Sequence, residues 1–182
     1  ATRNNWLRQR MADCEQPDNS CEPITWSISP HLTHIAPDVL EWYYASSHQT
    51  GRDYFILPPS GHLYAYPTSL SNEDQDLFVS ATEQDARVLG VNGVVHWDWF
   101  DTWYDAEDDF LPKYARADGV IRGVFPVNVP YMLPIFTWWP SEQFFHVLVG
   151  EDGSEIVVFR PREWRGVDDS GSAIEAEFFL NP

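Results

Sequence analysis

The strongest constraint on this chain is a rhythm in which short apolar runs of strand character are each followed by a polar loop and a stretch of helical periodicity. Ile24-Thr25-Trp26-Ser27-Ile28-Ser29 alternates and Pro30 stops it, after which Ile35, Val39, Leu40 and Tyr43 recur at helical spacing behind Pro37. Tyr54-Phe55-Ile56-Leu57 is a second strand. Asn72 to Leu89 then reads as a long amphipathic helix, with Ser71 or Asn72 as its N-terminal cap and Gly90 as its stop. Val94 to Phe100 is a third strand, a third helix opens near Asp105 and runs through Phe110, Leu111 and Tyr114, and Val120 to Phe125 is a fourth strand. Strands that are apolar on both faces and alternate with helices specify an α/β fold with a mostly parallel sheet.

Near its end the chain breaks that rhythm. Phe145 to Val149 and Glu155 to Phe159 flank Glu151-Asp152-Gly153-Ser154, which predicts a β-hairpin, and Ala176 to Leu180 is a last apolar strand. A closed barrel of eight strand-helix units takes about 250 residues, whereas 182 residues with four parallel strands before the hairpin predict a partial TIM-barrel-like domain. Such a domain exposes sheet edge and apolar surface that another chain or copy would cover.

Residues 1–23 lack sustained periodicity and read as an irregular N-terminal arm, in which Trp6, Leu7 and Met11 can form one short helical face; 24–182 are read as the α/β domain. Cys14 and Cys21 enclose a polar stretch and either close a small disulfide loop or remain two thiols; the disulfide goes with an extracellular or oxidising lumenal location. Ala1 at the start fits a cleaved precursor or an excised fragment.

A net charge of -17 repels a polyphosphate chain, which argues against nucleic acid as a partner. With 43% hydrophobic and 15% aromatic residues the acidity belongs to the surface of a packed protein. No apolar run approaches the roughly 20 residues of a membrane span. Phosphate-loop, dinucleotide and nucleophile-elbow motifs are missing from the sequence, and the six histidines show no metal-ligand spacing, so neither cofactor nor metal is expected. The acids from Asp98 to Asp109 lack the spacing of a calcium loop and read as a solvated helix start.

Function in parallel α/β sheets collects on loops leaving the carboxyl ends of strands. Those loops carry Ser60, His62, Tyr64 and Tyr66 after the second strand, His96, Trp97, Asp98 and Trp99 at the third, Asn128 and Tyr131 after the fourth, and Arg160, Arg162 and Glu163 after the hairpin. Asp53-Tyr54-Phe55 leading into Gly61-His62-Leu63-Tyr64-Ala65-Tyr66-Pro67 resembles the signature of the GxGYxYP putative glycoside hydrolases, with Leu63 standing at the second glycine of the motif. Trp26 to Pro30 and the order of strands are similar to that family's C-terminal domain, and the resemblance spans roughly residues 24–165. It implies an α/β barrel-like domain and a carbohydrate-related role.

Glycoside hydrolysis calls for two carboxyl groups flanking the scissile bond. Asp98, between Trp97 and Trp99, is the first candidate, because apolar surroundings raise a carboxyl toward a general acid; the alternatives are a solvated acid or a partner of Arg52 or Arg122. Glu163, among Arg160, Arg162 and Arg165, is the second, its alternative being a surface ion-pair cluster; Asp101 is a substitute for it. Ser60, His62, Tyr64, Tyr66, His96, Trp97, Trp99, Asn128, Arg160 and Arg162 are the expected sugar-contacting residues, with Trp103, Trp138 and Trp139 as further platforms or core material. Two readings follow: a glycoside-hydrolase-like domain, or a non-catalytic carbohydrate-binding or assembly subunit that keeps the scaffold.

Overall fold

The computed structural model describes residues 8–10, 12–14, 21–98, 102, 105–126 and 145–159. Strand β1 (Ile24–Ser27) runs parallel to β2 (Asp53–Ile56) in the register Ile24↔Asp53 to Ser27↔Ile56. Between them lie a single helical turn, α1 (Leu32–Ile35), and helix α2 (Pro37–Thr50). Proline in its first turn starts α2 without losing a hydrogen bond, and Gly51 at φ 61° ends it. Helix α3 (Asn72–Leu89) follows β2. The Ser71 hydroxyl accepts the Asp74 N–H at 3.2 Å, Glu73 and Asp74 face the positive end of the helix dipole, and Gly90 closes it at φ 66°.

Strand β3 (Gly93–His96) pairs in parallel with β4 (Gly123–Pro126), and β4 with the second strand of a hairpin made by β5 (Phe145–Val149) and β6 (Glu155–Phe159). This gives a two-stranded sheet, β1-β2, and a four-stranded one, β3-β4-β6-β5, linked by a parallel bridge between Leu57 and Val94. The architecture is mixed α/β with helices and two sheets. Among the described residues no barrel closes, and the second sheet is itself mixed, because β5 runs antiparallel to β6.

Three boundaries differ from the sequence expectation. The third helix is a π-helical turn, Ala106–Phe110, followed by a 3₁₀ turn, Leu111–Tyr114. Pro112 has no N–H to continue an α-helical ladder, and the Leu111 N–H instead bonds the Ala106 carbonyl, five residues back. Strand β4 begins at Gly123 rather than Val120, because the Val120 and Ile121 N–H groups donate to the buried Glu83 carboxylate at 2.6 and 3.4 Å instead of to a ladder. Strand β3 stops at His96, and the expected strand from Ala176 to Leu180 lies outside the described residues.

The core lies between α3 and one face of the larger sheet: Val79, Ala86, Val94, Phe110, Tyr114, Ile121, Val124, Ile156 and Val158 are buried. On the other face Phe125 and Phe159 stack with ring centroids 4.7 Å apart, over Gly93 and Gly123, where a Cβ would meet the Phe125 and Phe159 rings at 3.2 Å. An open cavity of about 910 Å³ lies there, lined by Tyr54, Ile56, Phe125 and Phe159 among others. At the amino ends of β1 and β2 sits part of the N-terminal segment: 8–10 and 12–14 are helical, and Cys14 is bonded to Cys21.

Candidate functional site

The loop from Pro58 to Leu70, leaving the carboxyl end of β2, is held at four points. Ser60, itself at φ 64°, donates its N–H to the Val95 carbonyl at 2.9 Å, and its hydroxyl lies 2.6 Å from the Ala65 carbonyl and 2.9 Å from that of Trp97. Such a left-handed non-glycine residue persists only where its surroundings over-determine it. Gly61, at φ 94°, rests against Thr82 of α3, and the His62 N–H donates to the Thr82 hydroxyl at 3.2 Å. The His62 ring nitrogen Nδ1 is 2.7 Å from Asp85 Oδ2, and the His31 ring stands 5.7 Å from that of His62.

The fourth anchor is Asp98. Its side chain is fully buried: Oδ2 accepts the Thr68 N–H at 3.2 Å, and Oδ1 lies 2.6 Å from the Thr68 hydroxyl and 3.2 Å from that of Thr102. His96 Nε2 is 3.4 Å from Oδ2, and the buried His96 ring stacks on Phe110. Asp98 therefore ties the short 3₁₀ turn Pro67–Ser69 to the end of β3. It is not solvated, and the two arginines expected as partners are engaged elsewhere: Arg52 donates to the Cys21 carbonyl and Arg122 to that of Ile121.

What this scaffold presents to solvent is aromatic. Tyr64 is 66% exposed, its ring is 6.3 Å from Tyr66 in an edge-on arrangement and 6.1 Å from Trp97 at a tilt of 34°. Burial, with the neighbouring Tyr66 hydroxyl as the lesser cause, raises the Tyr64 phenol above its ordinary pKa. The Trp97 indole N–H is buried and finds no acceptor among the described residues.

Of the expected sugar-contacting residues, the structure thus gathers Tyr64, Tyr66 and Trp97 on one surface, with His62 in the same loop. Ser60 and His96 are a correction, because at 1% and 2% exposure they lie beneath that surface and support it. Trp99, Asn128, Arg160, Arg162 and Glu163, with Asp101, Trp103, Tyr131, Trp138 and Trp139, lie outside the described residues. β4 ends at Pro126 and β6 at Phe159 on this same carboxyl edge, just before Asn128 and Arg160 in the chain.

Sequence reasoning missed Thr68, Thr102, Thr82 and Asp85, whose roles depend on pairings distant in the chain, and it misread Glu107. That residue is not part of a solvated acidic cap: its side chain is 12% exposed and sits 2.6 Å from His146 Nδ1 on β5. Among the described residues no group of three or more histidines, cysteines or acids is placed to hold a metal ion.

Burial, with the charge of Asp108 as the lesser cause, pushes the Glu107 carboxyl up to about 7. A carboxyl that binds its proton more tightly folded than unfolded contributes stability that is present below about pH 4.5 and lost as pH rises through about 7. A rise of that size corresponds to a loss of about 3 kcal/mol. Glu107→Gln, which carries no charge at any pH, is expected to make Tm fall less than in the parent over that interval. Parallel thermal-melt pH profiles for the two proteins would refute this.

Residues 4–132 match the family model described as the GxGYxYP putative glycoside hydrolase C-terminal domain, so the match starts inside the segment read from sequence as an arm. Among solved structures, one described as a putative hydrolase from Bacteroides thetaiotaomicron VPI-5482 superimposes with a TM-score of 0.62 at 25% identity. The alignment covers 93% of this chain and 29% of that one, so the chain spans less than a third of that protein's length. No curated protein matches.

Proposed function

The chain belongs to the GxGYxYP putative glycoside hydrolase C-terminal domain family, and from that premise we propose that it is a carbohydrate-active domain whose sugar-contacting surface is the step formed by Tyr64, Tyr66 and Trp97. The observation that carries this reading is an exposed aromatic surface on the family's signature loop, at the carboxyl edge of parallel strands. Aromatic faces pack against the C–H faces of pyranose rings, and the tyrosine hydroxyls and His62 supply hydrogen bonds that hold a sugar in register.

The scaffold is best taken as an arc of a TIM-like barrel. Strands β1 to β4 follow one another in chain order, linked by the Leu57–Val94 bridge, as barrel strands do. Strands β4 and β6 end at this same edge, just before Asn128 and Arg160 in the chain, and Glu163 is kept as a proposed carboxyl group in hydrolysis. Asp98 is assigned the support of the signature loop, since its oxygens are engaged by Thr68 and Thr102. That engagement is the specific observation favouring the second reading, a carbohydrate-binding or assembly subunit. The disulfide supports an oxidising compartment.

The test is a glycan array probed with the parent and with Tyr64→Ala. Because Tyr64 is 66% exposed, its truncation is expected to leave Tm within about 2 °C while weakening the best-bound glycan roughly tenfold. Equal binding by the two proteins, or a parent that binds nothing on the array, sinks the proposal. Release of reducing sugar from the bound glycan separates the hydrolase from the binding subunit.

A further inference from the structure

At the opposite end of the strands from the aromatic step, β2 opens with a buried acid. The Asp53 carboxylate is fully enclosed and receives the Trp26 indole N–H at 2.8 Å on Oδ1 and the Thr50 hydroxyl at 2.9 Å on Oδ2. Among the described residues the cation against it is Arg10, whose Nε lies 3.3 Å from Oδ1 and whose side chain is 16% exposed. Burying a carboxylate costs far more than its hydrogen bonds return unless a cation compensates it.

Arg10 reaches Asp53 from outside the sheet, and what holds it there is local. One helical turn further along is Cys14, bonded to Cys21, three residues before β1 begins. Arg10, Cys14, Cys21 and Trp26 line one cavity of about 340 Å³, and both cysteines are half-buried rather than sealed. The segment after Cys21 is stitched to the same corner. Arg10 donates to the Glu22 carbonyl, Arg52 Nη1 donates to the Cys21 carbonyl at 2.7 Å, and the Ile24 N–H donates to the Arg52 carbonyl at 2.8 Å. The disulfide thus joins the piece of chain that carries the cation to the piece that enters the sheet.

We propose that the Cys14–Cys21 bond is a redox-modification site that acts as a latch: closed, it keeps Arg10 on Asp53 and fixes the amino ends of β1 and β2; opened by a dithiol reductant, it releases both. In the opening step the reductant's thiolate attacks one sulfur and its second thiol resolves the mixed disulfide. Two electrons and two protons pass to Cys14 and Cys21 as thiols, and the reductant leaves as its own cyclic disulfide. Freed from the tether, the helical residues 8–10 and 12–14 lose their fixed position, and Asp53 keeps Trp26 and Thr50 but loses its compensating charge. The inference does not depend on what the carboxyl edge binds.

The experiment separates this coupling from the ordinary effect of cutting a cross-link, which removes loop-closure entropy whatever the loop carries. Thermal melts are recorded for the parent and for Arg10→Ala, each oxidised and each in excess dithiothreitol. Reduction is expected to lower Tm of the parent by roughly 10 °C and that of Arg10→Ala by about half as much, since the ion pair is already absent there. Equal shifts in the two proteins overturn the proposal. Should Arg10→Ala not fold, hydrogen exchange on the parent decides. Reduction is expected to speed exchange at least tenfold at Ile24 and Trp26 while Val79 to Leu89 in α3 keep their protection. No change, or a uniform increase across the chain, overturns it.

Discussion

Gly61→Ala is expected to lower Tm by roughly 10 °C and to abolish whatever the aromatic step binds. Two independent penalties meet at this residue. Its φ of 94° is one that side chains rarely adopt, at a cost of about 1–3 kcal/mol. A Cβ there would also stand 2.8 Å from the Thr82 hydroxyl oxygen and closer still to its methyl, and Thr82 is fully buried in α3 with nowhere to retreat. Overpacking of that kind adds about 1–3 kcal/mol. The loop relieves the clash by lifting off α3, which takes the His62 N–H from Thr82 and moves Tyr64 and Tyr66 away from Trp97. The check is a double-mutant cycle. Thr82→Ala removes the clashing atoms, so Gly61→Ala should cost visibly less in its presence, the remainder being the backbone term. A single Gly61→Ala variant that melts with the parent would mean that the loop is not seated on α3.

How much of this was readable beforehand depends on the range of the interactions involved. Helix α3 was legible to the residue, because its start and stop are written locally in Ser71, Glu73, Asp74 and Gly90. The hairpin strands were legible for the same reason, with the turn at Asp152 and Gly153 between two alternating runs. The start of β4 was not, because it is decided by Glu83, on a different helix, capturing the Val120 N–H. Nor was the order of the second sheet. Chain order would set β5 beside β4, but β6 takes that place in parallel and leaves β5 at the edge among the described strands, so an apolar run does not disclose which neighbour it pairs with.

The candidate site divides along the same line. That it lies on the loop after β2 and at the end of β3 follows from strand topology, and topology was visible in the alternation of strands and helices. Which side chains of those loops face outward was not. Alternation ends with β3 at His96, and nothing in the local pattern separates Trp97, which lies 6.1 Å from exposed Tyr64, from Asp98, which turns inward. The partners that decide it, Thr68 and Asp85, stand 30 and 23 residues from Asp98 and His62.

Asp98→Ala is the most disruptive single change expected at the site. It strips a buried carboxylate from beneath the Thr68 N–H, the Thr68 and Thr102 hydroxyls and His96, leaving donors that were desolvated on the assumption of a charge. Breaking such a network costs about 3–5 kcal/mol, a fall in Tm of roughly 10 °C or more, with ligand binding lost as the Pro67–Ser69 turn detaches from β3. Asp98→Asn distinguishes support from chemistry, since it keeps the shape and one acceptor oxygen. If Asp98 holds the loop, the amide must turn one N–H toward the Thr68 N–H or toward the two hydroxyls. Stability and glycan affinity then fall together, by about a third of the alanine effect. If Asp98 delivered a proton to a leaving sugar, the same variant would melt and bind like the parent while turnover vanished. Melting, binding and sugar release measured on the two variants decide between these patterns. The geometry favours the first, because the hydroxyl of Thr68 already lies 2.6 Å from the oxygen that a catalytic acid would need free.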